Sequence, residues 1–91
     1  MYDVTIIGGG YMGQEYAKAL ESLDISNVTI ITNSNKNSKT FSNKFDYKVV
    51  SGGYEKHVPL LKKQDLIIIA TPTELLFPVC KLCLDYKQNN I

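Results

Sequence analysis

The sequence has 91 residues, 44% hydrophobic and 21% charged, with ten lysines, no arginine, nine acids and one histidine, for a net charge of +1. This length allows a single domain spanning residues 1–91, and the composition excludes a disordered or collagen-like chain. Near-neutral charge excludes a broad basic footprint for nucleic acid, and the longest apolar run, residues 66–70, falls far short of the ~20 residues of a membrane helix.

In chain order, Tyr2 to Ile7 is a short β-branched run ended by Gly8-Gly9-Gly10, the pattern of a strand and a tight turn. Asp3 and the early glycines do not fit a signal peptide, so the cytoplasm is the expected location. From Tyr11 to Leu23 the period changes. Met12, Tyr16, Ala19, Leu20 and Leu23 recur at three- and four-residue steps and predict an amphipathic helix. Residues 24–27 read as a polar turn, and residues 28–32 as a second strand. The polar stretch 33–39 predicts an exposed loop, with a short helix from about Lys39 to Phe45. Residues 47–50 suit a third strand, stopped by Gly52-Gly53. Pro59 fits the first turn of a short helix through Leu60, Leu61 and Lys62. Residues 65–71 read as a strand whose centre, Leu66 to Ala70, is apolar at successive positions, as in a strand covered on both faces. Pro78 fits the first turn of a last helix to about Gln88, with Val79, Leu82, Cys83 and Tyr86 on one stripe.

Strands alternating with helices predict an α/β fold: a Rossmann-like, three-layer αβα domain with a four-stranded parallel sheet of order 3-2-1-4. Such sheets bind ligands at the carboxyl ends of the strands, at the switch between the first and fourth.

The sharpest motif is Gly8-Gly9-Gly10-Tyr11-Met12-Gly13, a G-x-G-x-x-G between a strand and a helix. Gly8 allows the turn, Gly10 lets a diphosphate approach the backbone, and Gly13 lets the helix pack close to the strand. The N–H groups at the helix start, around Tyr11 and Met12, would then attract the phosphate charge. The bland alternative is a structural glycine turn that binds nothing. An acid about 20 residues on would favour NAD. Counting from Gly13 reaches Thr32 and Asn33, followed by Ser34, with Lys36 and Lys39 nearby. These residues would meet the adenosine ribose, and they tip the balance slightly towards NADP. The competing reading is that the lysines only solvate a loop while Asn33 bonds the ribose of NAD.

Residues 6–20 and 66–76, the latter continuing to Leu84, resemble the nucleotide-binding half of the Gfo/Idh/MocA family of oxidoreductases. The run Ala70-Thr71-Pro72-Thr73 after a buried strand is the more distinctive segment. In that family the loop lies against the cofactor near its diphosphate and nicotinamide ribose, so the resemblance implies cofactor contacts for Ala70, Thr71, Pro72 and Thr73. It also implies an oxidoreductase acting on a carbohydrate-like or related small substrate. Three departures stand out. The acid after the second strand is missing, and a histidine common beyond the T-P pair aligns with Leu76. The family's next strand leads to an E-K-P motif whose lysine serves catalysis, and the sequence stops at Ile91 before it. The expectation is therefore the cofactor-binding piece of an enzyme, incomplete against the full domain, with no catalytic residue of its own. The alternative is a non-catalytic NAD(P)-sensing module.

Cys80-Lys81-Leu82-Cys83 is a C-x-x-C, but it falls inside a predicted helix without the further ligands zinc needs, so core packing is favoured and no metal is expected. His57 reads as a capping or exposed residue, and Tyr54 as a possible border of the adenine pocket. If the fourth strand is an edge, its apolar residues form a template for pairing, and a homo-oligomer through that strand or the last helix is expected.

Overall fold

The β-branched runs pair side by side in parallel, in the order third, second, first, fourth, as their spacing predicts. β1 is Asp3–Ile7, β2 Asn27–Ile31, β3 Lys48–Val50 and β4 Leu66–Ile69. A computed structural model describes residues 2–23, 27–33, 35–61 and 64–85, with the backbone alone at 35 and 73. The register sets Val4 opposite Val28 and Leu66, and Ile6 opposite Ile30 and Ile68.

Side chains alternate across a strand, so two cores form. On one face Val4, Ile6, Val28, Ile30 and Ile68 meet Ala17 and Leu20 of α1 (Tyr11–Glu21) and Phe41 of α2 (Asn35–Lys44). On the other, Ile7, Ile31 and Ile67 meet Val58, Val79 and Cys83. Val58 opens a 3₁₀ turn, Val58–Leu60, that continues α3 (Tyr54–His57), while Val79 and Cys83 belong to α4 (Thr73–Asp85). Three layers result. Each aliphatic side chain buried this way stabilises the fold by ~1.5–3 kcal/mol. The polar exception in the sheet is satisfied: buried Thr5 donates its hydroxyl to Gln64 Oε1 at 2.8 Å. Among the described residues no helix is long and apolar enough to cross a membrane.

Four expectations need correction. The stretch after β2 is not an exposed loop: α2 begins at Asn35. Its Asn, Ser and Lys residues are weak or neutral helix formers, but Phe41 and Phe45, one turn apart, are buried, with ring centroids 5.5 Å from each other. Burying that aromatic pair overrides local propensity. In α1 the buried line is Gly13, Ala17 and Leu20, while Met12, Tyr16, Ala19 and Leu23 are exposed. The start of the helix lies so close to the glycine turn that a side chain at Gly13 would not fit beneath it, and of the expected stripe Leu20 alone turns inward. α4 starts at Thr73, and Pro78 lies inside it. The proline ring removes one backbone bond, and burial of Val79 and Cys83 carries the helix past it. The helical segment expected at Pro59 begins earlier, at Tyr54, and Leu61 is already extended. Lys62, Tyr86 and the polar turn over 24–26 lie outside the described residues.

Candidate functional site

The carboxyl ends of all four strands are tied by a row of backbone bonds that runs on past the strands. Gly8 N–H donates to Ile31 O at 2.9 Å, and Ala70 N–H to Ile7 O at 2.8 Å. Thr32 N–H donates to Val50 O and Gly53 N–H to Thr32 O, both at 2.9 Å. The loops that follow β1, β2, β3 and β4 therefore share one edge, and every described residue of the expected site stands on or beside it.

The glycines of the first loop are required for different reasons. Gly8 has φ +124°, a conformation L side chains avoid, and a Cβ there would strike the Ala70 carbonyl. A Cβ at Gly13 would run into the Gly8 carbonyl, so α1 can cross the turn only with glycine at that step. Gly9 is pressed against Thr32 and Asn37. Gly10 differs. Its φ of −85° suits any residue, and a Cβ there would meet no described residue within 4 Å. Neither the backbone nor the packing of the described residues calls for glycine at position 10. The open space beside it faces the start of α1, where no side chain caps the helix and no acid stands in the first turn. Its free N–H groups and the positive end of its dipole suit an anion.

Tyr11 and Met12, at that helix start, are exposed. The Tyr11 hydroxyl donates to Glu15 Oε1 at 3.0 Å, and Glu15 pairs with Lys18 at 3.4 Å. The Tyr11 hydrogen bond, then Lys18, holds the Glu15 carboxyl below the usual carboxylate range, while Glu15 pushes the Tyr11 phenol up. The ring is thus tethered along its own helix.

Past β4, Ala70 and Thr71 are half-buried and Pro72 is exposed. Thr71 Oγ1 is buried, with no hydrogen-bond partner among the described residues. An orphan hydroxyl of this kind costs about 1–3 kcal/mol unless something else bonds it. Thr73 opens α4.

At the end of β2 the three expected residues part company. Thr32 is buried, and its hydroxyl is bonded to that of Ser38 on α2 at 2.5 Å, so it secures the strand–helix junction. Asn33 is exposed. Ser34 lies outside the described residues. Asn33 lines a cleft of about 330 Å³ together with Gly52, Gly53, Tyr54, Glu55 and Lys56. Lys56 carried no expectation from the sequence. The glycine pair before it was the available signal, since it fixes where the loop after β3 turns. Lys36 and Lys39 are exposed on α2. A cleft of similar size at the amino ends of the strands, lined by Asp3, Asn27, Asp46, Lys48 and Gln64 among others, holds none of the expected residues.

The remaining candidates are held by structural duties. Cys83 is fully buried, and burial pushes its thiol up to about 11, so it stays protonated at neutral pH. Cys80 is half-buried, and both cysteines are free. His57 Nε2 is 2.5 Å from the Ser51 carbonyl oxygen. Among the described residues no three His, Cys, Asp or Glu side chains gather to hold a metal.

A family model described as oxidoreductase family, NAD-binding Rossmann fold (Gfo/Idh/MocA) matches residues 2–91. Among solved structures, biliverdin reductase from Synechocystis sp. PCC 6803, in complex with biliverdin and NADP+, superposes with a TM-score of 0.77 at 21% identity. The match covers 98% of this chain and 28% of that one. A shikimate 5-dehydrogenase-like protein matches with a TM-score of 0.67 at 11% identity, over 99% of this chain and 42% of that one. The chain thus spans less than half the length of either neighbour. A search of curated proteins gave no match.

Proposed function

The chain belongs to the Gfo/Idh/MocA oxidoreductase family, as an NAD(P)-binding Rossmann domain, and from that premise we propose that residues 1–91 work as one cofactor-holding domain of an enzyme that moves hydride to or from a small carbohydrate-like or related substrate. The observation that carries the reading is Gly10: an unneeded glycine beside an uncapped helix start leaves room that the described residues do not use. The backbone of Gly8, Gly10, Tyr11, Met12 and Gly13 cradles the diphosphate in this reading. The orphan Thr71 hydroxyl supports a contact at the nicotinamide end, with Ala70, Pro72 and Thr73 around it. Asn33, with Thr32 and Ser34 beside it, takes the adenosine ribose. When bound, the cofactor supplies the hydride chemistry, and these residues only hold and orient it. NADP is slightly favoured over NAD, because no acid stands at the end of β2. The biliverdin of the Synechocystis neighbour is no carbohydrate, so substrate choice is taken to rest with chain outside these residues.

Fluorescence titration of the 91-residue chain with NADPH and NADH tests the reading. Saturable binding below millimolar concentration is expected, and no saturation at millimolar cofactor would overturn it. A second reading, a non-catalytic NAD(P)-sensing module, draws on the occupations of His57 and Cys83, which are tied to structure rather than poised for proton transfer. The two part on whether a protein containing this chain turns over a small substrate.

Self-association belongs to the same proposal. β4 pairs with β1 on one side, and Leu76, Phe77 and Leu84 of the adjacent α4 are exposed. Such an edge and face favour a second copy. Light scattering should give more than the monomer mass of 10.2 kDa, and a clean monomer at high concentration would remove the proposal. Two free thiols suit a reducing compartment, which supports the cytoplasm.

A further inference from the structure

The residue that carries charge to the adenosine end of the site is not one the chain's order suggests. Lys36 and Lys39 follow β2 directly, but α2 carries both. Lys56 is 23 positions beyond Asn33, yet the two line one cleft. Parallel pairing of β2 with β3 makes this juxtaposition, with Ile31 opposite Val50.

The loop that leads into α3, which bears Lys56, is held in place from several sides. Thr32 bonds it twice, accepting from Gly53 N–H and donating to Val50 O. Gly53 has φ +89°, and a Cβ there would lie 2.8 Å from Asn33 Oδ1, so the Asn33 amide sits directly on the loop. His57 is anchored by the Ser51 carbonyl. The stem of Lys56 folds over Gly52, with Cδ 3.5 Å from where a side chain at 52 would begin. An exposed ammonium on a short stem of fixed backbone thus flanks an exposed amide, in an open cleft at the low end of ligand-pocket volumes.

Resting on the cofactor reading above, we propose that Lys56 is the specificity-determining residue that selects NADP over NAD, by pairing with the 2′-phosphate while Asn33 bonds the ribose. The chemistry is a charge-assisted hydrogen bond, available only when the phosphate is present. Glu55 lines the same cleft and opposes this effect, but it also lines the groove towards Lys81 on α4. The Lys81 ammonium is already paired with Asp85 at 3.3 Å, so Glu55 remains a repulsion that Lys56 has to outweigh.

The test is titration of the 91-residue protein with NADP+ and NAD+ at one fixed ionic strength, for wild type, Lys56→Gln, Lys56→Arg and Lys36→Gln. Lys56→Gln should weaken NADP+ about tenfold and NAD+ by less than twofold, and Lys56→Arg should keep most of the preference. Equal losses for both cofactors, no loss, or a selective loss in Lys36→Gln instead would overturn the role of Lys56 while leaving cofactor binding intact. No saturable binding of either cofactor to wild type would overturn the cofactor reading itself, and this inference with it.

Discussion

Two glycine turns stand at the same end of the sheet, and each is followed by a tyrosine. Gly8-Gly9-Gly10 leads through Tyr11 into an eleven-residue helix, and Gly52-Gly53 leads through Tyr54 into a four-residue one. In the second turn both glycines have positive φ, +108° and +89°, so the backbone alone accounts for them. In the first turn Gly8 is accounted for by φ, while Gly9 and Gly13 are accounted for by crowding. Gly10 is accounted for by neither. The contrast supplies a criterion: a glycine that neither dihedral angle nor neighbours require marks room kept for something other than the chain.

The contrast breaks most sharply at the crowded positions. Gly8→Ala adds a strained conformation and a collision with the Ala70 carbonyl, and Gly13→Ala drives a Cβ into the Gly8 carbonyl. Each should cost about 2–4 kcal/mol, read as a lower urea midpoint, which in a domain this small approaches its whole stability. Gly53→Ala meets the same conformational penalty but collides only with the end of a flexible side chain, Asn33. It should cost about 1–2 kcal/mol. A Gly13→Ala protein as stable as wild type would end the claim that close packing fixes that glycine.

Gly10→Ser sharpens the comparison, because stability and binding should move in opposite directions. Serine is a good N-cap and φ is ordinary there, so stability should stay level or rise by about a few tenths of a kcal/mol. The added side chain would fill the open space and occupy the N–H groups, so NADPH affinity should fall about tenfold or more. If affinity is unchanged, the space beside Gly10 serves no ligand.

What the sequence made legible follows the same division. The strands were readable because β-branched runs between turn residues admit few other structures, and the unbroken apolar run of β4 announced cover on both faces. Only the second half of α2 was readable, as the helix expected from about Lys39, while its start at Asn35 was not. Its signal was the pair Phe41 and Phe45, four residues apart in a polar stretch, and only burial against the sheet turns that pair into a helix. The inner face of α1 was hidden for the opposite reason. Large apolar residues dominate a periodicity reading, whereas the closest helix–strand contact selects Gly13 and Ala17. In the site, the glycine motif was legible because its spacing is local. The Asn33–Lys56 cleft was not, since strand pairing across the sheet creates it.

Smaller effects separate the two loops that border the turns. Thr71→Val replaces a buried hydroxyl that has no partner by a methyl of the same shape. Stability should not fall and can rise by up to about 1 kcal/mol, while cofactor affinity drops by roughly 1 kcal/mol, about fivefold. A clear loss of stability would mean the hydroxyl already serves the fold.

The smallest effect concerns the two tyrosines. Tyr54 is half-buried against the second core and lines two clefts, whereas Tyr11 is exposed and bonded to Glu15. The Tyr11 bond is the largest cause of the lowered Glu15 titration, with Lys18 next. Tyr11→Phe should therefore raise the pH at which Glu15 titrates, part of the way back to the usual range, as followed by carboxyl-carbon NMR. The sign for stability follows. A carboxyl lowered in the folded state adds stability above its unfolded titration range, and that contribution is lost as pH falls through the folded value. The variant should lose slightly less stability than wild type on acidification, by the same small margin by which wild type is the more stable at neutral pH, because solvent screens a pair at the surface. An unshifted Glu15 titration would show that Tyr11 is free in solution, and the first turn would then differ from the second in its glycines but not in a fixed aromatic.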